Sequence, residues 1–298
     1  MSKRLALVLS GGGARGALQV GALRALLEGG LYPDLVVGTS AGAINAAMIA
    51  LHGMNAISIE TLAWHWRDAA KSEILTSNTA WVTLSALFRR SKSGTYSKMR
   101  EFFTAHGLIP TLRFGDLKGA KLFVVAADLN CGRPIVYGAD PQQSVLDAVL
   151  ASAALPPWVP PIEQDGQLLI DGGAVSNLPI EAALAQGATE IIALDLSDTR
   201  TLSADARGWL PLIAQVRNMA EQRQTKLELA LAEARGIPVR RIVLRPDKPV
   251  EIWDFSHAEE LVERGYQIAQ AEIVKWKPER RSPWRDWLGK IKLALQVK

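Results

Sequence analysis

One local pattern recurs along the chain that few folds can accommodate: a short β-like apolar run, then glycines, then a helix of small residues. Leu5–Leu9 runs into Gly11-Gly12-Gly13-Ala14-Arg15-Gly16, after which Leu18, Ala22, Leu23, Leu26 and Leu27 recur at helical spacing before Gly29-Gly30. Leu35-Val36-Val37 likewise runs into Gly38-Thr39-Ser40-Ala41-Gly42 and a second small-residue helix over 41–51. Strands that are apolar along their whole length are buried on both faces, as in parallel sheets covered by helices. Further strands are predicted at 121–127, 168–170, 191–196 and 241–244, and helices at 143–153, 179–186 and 215–234. The alternation predicts an α/β fold with three α/β/α layers around a mostly parallel central sheet.

A length of 298 residues with 48% hydrophobic content suits one large domain, assigned to 1–275. Residues 55–110 break the pattern. Trp64, Trp66, Trp81, Leu84, Leu87 and Phe88 are interrupted there by polar and basic residues, which reads as a helical insertion or lid over the site, or as an ordinary helical cover whose aromatics are core. Residues 276–298 form a basic amphipathic tail. The net charge of +4 is concentrated there: 277–298 carries seven Lys or Arg against two acids, so a global nucleic-acid-binding surface is not expected. Trp284, Trp287, Leu288, Ile291 and Leu295 fall on one helical face, so 283–298 either lies on an anionic membrane surface or docks on its own domain or a partner. The start is read as a buried strand, and no stretch approaches the roughly 18 apolar residues of a spanning helix. Cys131 is the single cysteine, which permits a reducing compartment and makes a cytoplasmic location the default.

Gly11, Gly13 and Gly16 satisfy the dinucleotide-binding pattern G-x-G-x-x-G, with Asp34 downstream. In that fold the acid belongs at the end of the second strand, whereas Asp34 precedes Leu35-Val36-Val37 and therefore lies at its start. The other use of such a loop is to present backbone N–H groups to a developing oxyanion, with Gly12 and Gly13 as the direct donors and Arg15 orienting anionic groups or forming a structural salt bridge. No organic cofactor is expected, and no closely spaced His, Cys or carboxylate cluster predicts a metal.

Gly38-Thr39-Ser40-Ala41-Gly42 follows a strand and opens a helix, the context of a nucleophile elbow, and Ser40 is the predicted nucleophile; a plain helix cap is the competing reading. Two residues could serve it as a base. His257 would complete a triad with Asp171, but Asp254-Phe255-Ser256-His257-Ala258-Glu259-Glu260 reads as a helix start and favours capping. Asp171 ends Leu168-Leu169-Ile170 and precedes Gly172-Gly173, which allows its carboxylate to turn toward Ser40; a surface Asp-Gly turn is the alternative.

Together these segments resemble the patatin-like phospholipase family over roughly residues 5–200, with a fourth matching segment at Ala151-Ser152-Ala153-Ala154-Leu155-Pro156-Pro157 and Pro160. The resemblance implies a patatin-like α/β hydrolase whose oxyanion hole involves Gly11, Gly12, Gly13, Arg15, Gly16 and Ala41. It implies that Ser40 is acylated and that Asp171 completes a Ser–Asp dyad without histidine. The expected substrate is a phospholipid or lysophospholipid ester, with a soluble ester or thioester hydrolase and a noncatalytic lipid-binding protein as alternatives.

Overall fold

The computed structural model describes residues 3–72, 93–197 and 209–276. Trp81, Leu84, Leu87 and Phe88, and the 283–298 segment, lie outside the described residues. Eight strands form one sheet: β1 (Leu5–Leu9), β2 (Leu35–Thr39), β3 (Lys121–Asp128), β4 (Arg133–Tyr137), β5 (Ile162–Gln164), β6 (Gln167–Asp171), β7 (Glu190–Asp195) and β8 (Val239–Val243). The order is β5-β6-β3-β2-β1-β7-β8, with β4 also paired to β3. The run from β3 through β8 is parallel, while β4, β5 and β6 are antiparallel additions.

The pleat assigns alternate side chains to opposite layers. Leu7, Leu9, Val36, Leu122 and Val124 face α1 (Gly16–Glu28), α2 (Ala41–His52), α3 (Ala56–Ala69), α4 (Ser93–Ala105), α5 (Val145–Ser152) and α8 (Ala258–Lys275). Ala6, Val8, Leu35, Val37, Phe123 and Val125 face the thinner layer of α6 (Ile180–Ala185) and α7 (Trp209–Ala234). The predicted α/β/α layering with a mostly parallel sheet is therefore the observed one. Predicted elements agree to within a few residues, except that α7 begins earlier than position 215. The strands β4 and β5 were not expected.

Register explains how distant segments meet. β2 pairs with β3 from Leu35↔Lys121 to Thr39↔Val125, and β4 takes the opposite edge from Val124↔Tyr137 to Asp128↔Arg133. β3 thus outruns β2, and β6 occupies the vacant edge beyond Thr39, with Asp171 opposite Ala126. The end of β6 is thereby brought to the end of β2.

Two further contacts hold the layers. α1 and α8 cross with backbones nearly touching: a Cβ on Gly265 would be driven into Leu18 O, and one on Gly21 into Val262 O. On the other face, α7 contributes the buried Glu228, whose carboxylate accepts from Ser176 Oγ and from Glu181 N in the first turn of α6. Ser176 O in turn accepts from Thr39 Oγ1 at 2.9 Å, so Glu228 braces the segment that supports the end of β2. Burial is the largest influence on Glu228 and pushes its carboxyl up to about 7 against the hydrogen bonds it accepts.

Two measurements check these contacts. Gly265→Ala is expected to cost roughly 1–3 kcal/mol in urea unfolding, because neither backbone can yield without separating the helices. Gly94→Ala, which has open space around it, serves as the neutral control. For Glu228, the folded state holds the proton that the unfolded state releases between 4.5 and about 7, so stability falls as pH rises through that window. The loss amounts to roughly 3 kcal/mol for a shift of this size. Glu228→Gln, a mimic of the protonated acid, should flatten the pH dependence of unfolding between pH 5 and 8; parallel profiles would refute the assignment.

Candidate active site

The elbow after β2 is built by close approach. Ser40 sits between Thr39 and the first residue of α2 at φ 54° and ψ −123°, a conformation that non-glycine residues rarely adopt. A Cβ on Gly38 would run into Gly42 O, and a Cβ on Gly42 into Leu9 O, so both flanking glycines are sterically required. Neighbouring contacts hold the strained residue: Ser40 N donates to Ser152 Oγ at 2.8 Å, and Ser40 O accepts from Ala43 N and Ile44 N. Ser152 Oγ donates onward to Val125 O at 2.6 Å, which anchors it to β3. Ser40 is more than a cap, since its side chain makes no capping bond to α2.

Ser40 Oγ instead donates to Asp171 Oδ2 at 2.6 Å. Asp171 Oδ1 accepts from Gly173 N at 2.8 Å, which fixes the carboxylate plane. Burial raises the Asp171 carboxyl above the ordinary aspartate range, opposed by the Ser40 and Gly173 hydrogen bonds and by the charge of Arg217. His257 is not brought to this pair. Its ring lies 3.3 Å from Glu260 and 3.5 Å from Asp254 at the start of α8.

The glycine loop lies between β1 and α1, beside Ser40, and its donors divide. Gly11 N donates to Asn177 O, Arg15 N to Gly12 O, and Gly16 N to Gly13 O and Ala14 O. These three N–H groups are committed to the fold, which corrects the expectation for Gly11 and Gly16 as oxyanion donors and leaves Arg15 only its side chain. Gly12 and Gly13 N–H have no acceptor among the described residues, nor does Ala41 N–H at the start of α2. Asp34 is at the opposite end of the sheet, where its Oδ2 accepts from Leu5 N at 2.7 Å, so the dinucleotide reading of the loop has no acid at its ribose position.

A buried polar network locks the loop in place. Gln19 Nε2 donates to Ser10 O at 2.9 Å and Leu194 O at 3.3 Å, and Gln19 Oε1 accepts from Asn45 Nδ2. Asn45 Nδ2 also reaches Gly16 O, and Asn45 Oδ1 accepts from Trp66 Nε1 at 2.9 Å. Both amides have all their protons used, as buried amides require. Neither Gln19 nor Asn45 stood out in the sequence.

Two cavities meet at Ser40. One, about 750 Å³ with its mouth, is an apolar chamber walled by Ile44, Leu62, Trp66, Met99, Phe103 and Phe255. α3 and α4 from the irregular 55–110 region supply much of this wall; Trp66 is core, while Trp64 is exposed. His65 also lines it, held down to about 4 chiefly by burial and then by His106 and His52, so the chamber is uncharged at neutral pH. The second cavity, about 560 Å³, is a polar cleft with Arg15, Asp171, Asn177, Arg217 and Glu221. Gly13, Ser40, Leu155 and Ile252 line both. Arg217 and Glu221, 3.3 Å apart on α7, were not anticipated, because nothing in their local sequence distinguishes them from a solvated i,i+4 pair.

Residues 7–184 match the family model described as patatin-like phospholipase. Patatin-like phospholipase domain-containing protein 7 of Rattus norvegicus is 32% identical over 91% of this chain and 21% of its own length. An NTE family protein of Mycobacterium tuberculosis (strain CDC 1551 / Oshkosh) is 30% identical over 91% of this chain and 46% of its own length. The chain thus spans less than half the length of these relatives. Among solved structures, VipD from Legionella pneumophila aligns over 92% of this chain and 67% of its own at 17% identity, with a TM-score of 0.47. The match over residues 7–184 covers more than half the chain, and the chain belongs to the patatin-like phospholipase family.

Proposed function

We propose that this protein is a serine acyl hydrolase that cleaves phospholipid or lysophospholipid esters through a Ser40–Asp171 dyad. The observation that carries the reading is the 2.6 Å hydrogen bond from Ser40 Oγ to a buried Asp171 where an apolar chamber meets a polar cleft. Asp171 accepts the Ser40 proton as Oγ attacks the ester carbonyl. The free N–H groups of Gly12 and Gly13, with Ala41, receive the charge on the carbonyl oxygen. The acyl chain occupies the apolar chamber, and the alcohol portion leaves through the cleft, whose Arg15 and Arg217 suit a phosphate. As the intermediate collapses, Asp171 gives the proton it took to the departing alcohol oxygen; the regenerated carboxylate then takes a proton from the water that attacks the acyl-enzyme and returns it to Ser40 Oγ as the fatty acid leaves. A carboxyl raised by burial is a stronger base than free aspartate once ionised, and the neighbouring Arg217 keeps it ionisable.

The test is intact-protein mass after fluorophosphonate treatment, with hydrolysis assayed in parallel. One adduct mapping to Ser40, absent in Ser40→Ala, is expected; an unlabelled, folded wild type would sink the proposal. Asp171→Asn should lower turnover by about 10²–10⁴-fold while leaving the melting temperature unchanged or raised near pH 8, because it removes a buried charge. Retained turnover in Asp171→Asn would remove the dyad. Because Arg217 favours the ionised form of Asp171, Arg217→Ala should move the acidic limb of the kcat/KM profile to higher pH.

A further inference from the structure

The helix that closes one side of the cleft has a second face with a composition of its own. α7 turns Arg217 and Glu221 toward the cleft, donates from Gln224 Nε2 to Ala174 O at 2.8 Å, and buries Thr225, Glu228 and Ala232 against the domain. Its outer side presents Leu212, Val216, Met219 and Leu227, exposed to 63%, 53%, 65% and 52%. Arg223 and Lys226 are exposed in the same stripe. The positions 212, 216, 219, 223 and 226–227 repeat at three- and four-residue steps, so they share one helix face about 22 Å long. Between Leu212 and Ala230 the helix has two acids, Glu221 and Glu228, and both face inward. The outer stripe is therefore apolar and cationic with no acid.

Charge decides what fits it. The 277–298 segment is itself strongly basic and would be repelled. A second copy presents the same cations and no acid on this face. An anionic lipid surface complements both properties, with headgroup phosphates for Arg223 and Lys226 and the acyl boundary for Leu212, Val216 and Met219. We propose that the outer face of α7 docks the protein onto an anionic bilayer. Its purpose rests on the lipid-ester hydrolase reading, but binding is measured without turnover.

The experiment is co-sedimentation of the full chain with vesicles of phosphatidylcholine alone and of equimolar phosphatidylcholine and phosphatidylglycerol. Wild type should bind the anionic vesicles, and salt should weaken the binding. Val216→Ser/Met219→Ser and Arg223→Glu/Lys226→Glu should each lower the partition coefficient at least tenfold. Fluorophosphonate labelling of Ser40 and hydrolysis of a short soluble ester should stay at wild-type rates. Binding by wild type that neither double variant alters would overturn the proposal, as would its loss only on removal of 277–298, or no binding at all. A lipid-free dimer that Val216→Ser/Met219→Ser dissolves would make the face a contact between copies and also overturn it. α7-dependent binding by a protein that fluorophosphonate does not label would leave docking standing and sink the hydrolase reading.

Discussion

The candidate site depends on a mismatch in strand length. β3 has eight residues and β2 five, so β3 presents an unpaired edge just past the elbow that carries Ser40. Unpaired backbone donors and acceptors inside a domain are costly, and β6 satisfies them by pairing antiparallel on that edge. Its last residue is Asp171. The 131-residue separation between Ser40 and Asp171 is thus closed by backbone hydrogen bonding, and the side-chain bond between them is made on a frame already set.

That frame is stiffened from several directions because the residues it supports are unfavourable by themselves. Ser40 holds a backbone conformation rare for a residue with a side chain, and Asp171 is a carboxyl held out of water. Each costs of order 1–3 kcal/mol, so each needs a surround that offers no easier arrangement. Ser152, at the end of α5 and anchored to β3, grips Ser40 N, Gln19 and Asn45 hold the glycine loop against α1, α2 and α3, and Glu228 braces the segment behind Thr39 through Ser176. The polar core is concentrated around the strained groups, while the rest of the sheet is packed by aliphatic side chains.

What could be read from the sequence follows from how local each constraint is. The β1–loop–α1–β2–elbow–α2 run was legible because its glycines meet steric demands within a few residues, as Gly38 meets Gly42. Asp171 was legible because Asp-Gly-Gly ends an apolar run. The division of labour within the glycine loop was not, since the commitment of Gly11 N depends on Asn177 O from far along the chain. β4 and β5 were missed for a different reason: β4 is an edge strand with Pro134 and two of its five residues exposed, and β5 has three residues, so neither shows a period. Arg217 and Glu221 are indistinguishable in sequence from an exposed helical ion pair. Only the placement of α7 across the cleft changes their meaning.

The two cavities give Ser40 a chemical direction as well as a position. An uncharged chamber on one side and a cleft holding two arginines and two carboxyls on the other impose opposite preferences on the two ends of a bound ester. For the proposed substrate, with an apolar tail and an anionic head, one orientation gains on both sides and the reverse loses on both, so its ester carbonyl would be presented to Ser40 from one face. The same partition constrains the base. Glu221, buried beside Arg217 and Arg15, is raised by burial and lowered by their charge, while its own charge and that of Asp171 raise each other's cost of ionisation. Arg217 thus favours the ionised form of Asp171, and Arg217 and Arg15 together offset the charge of Glu221 beside it; in the proposed mechanism this is what would let a buried Asp171 act as the base.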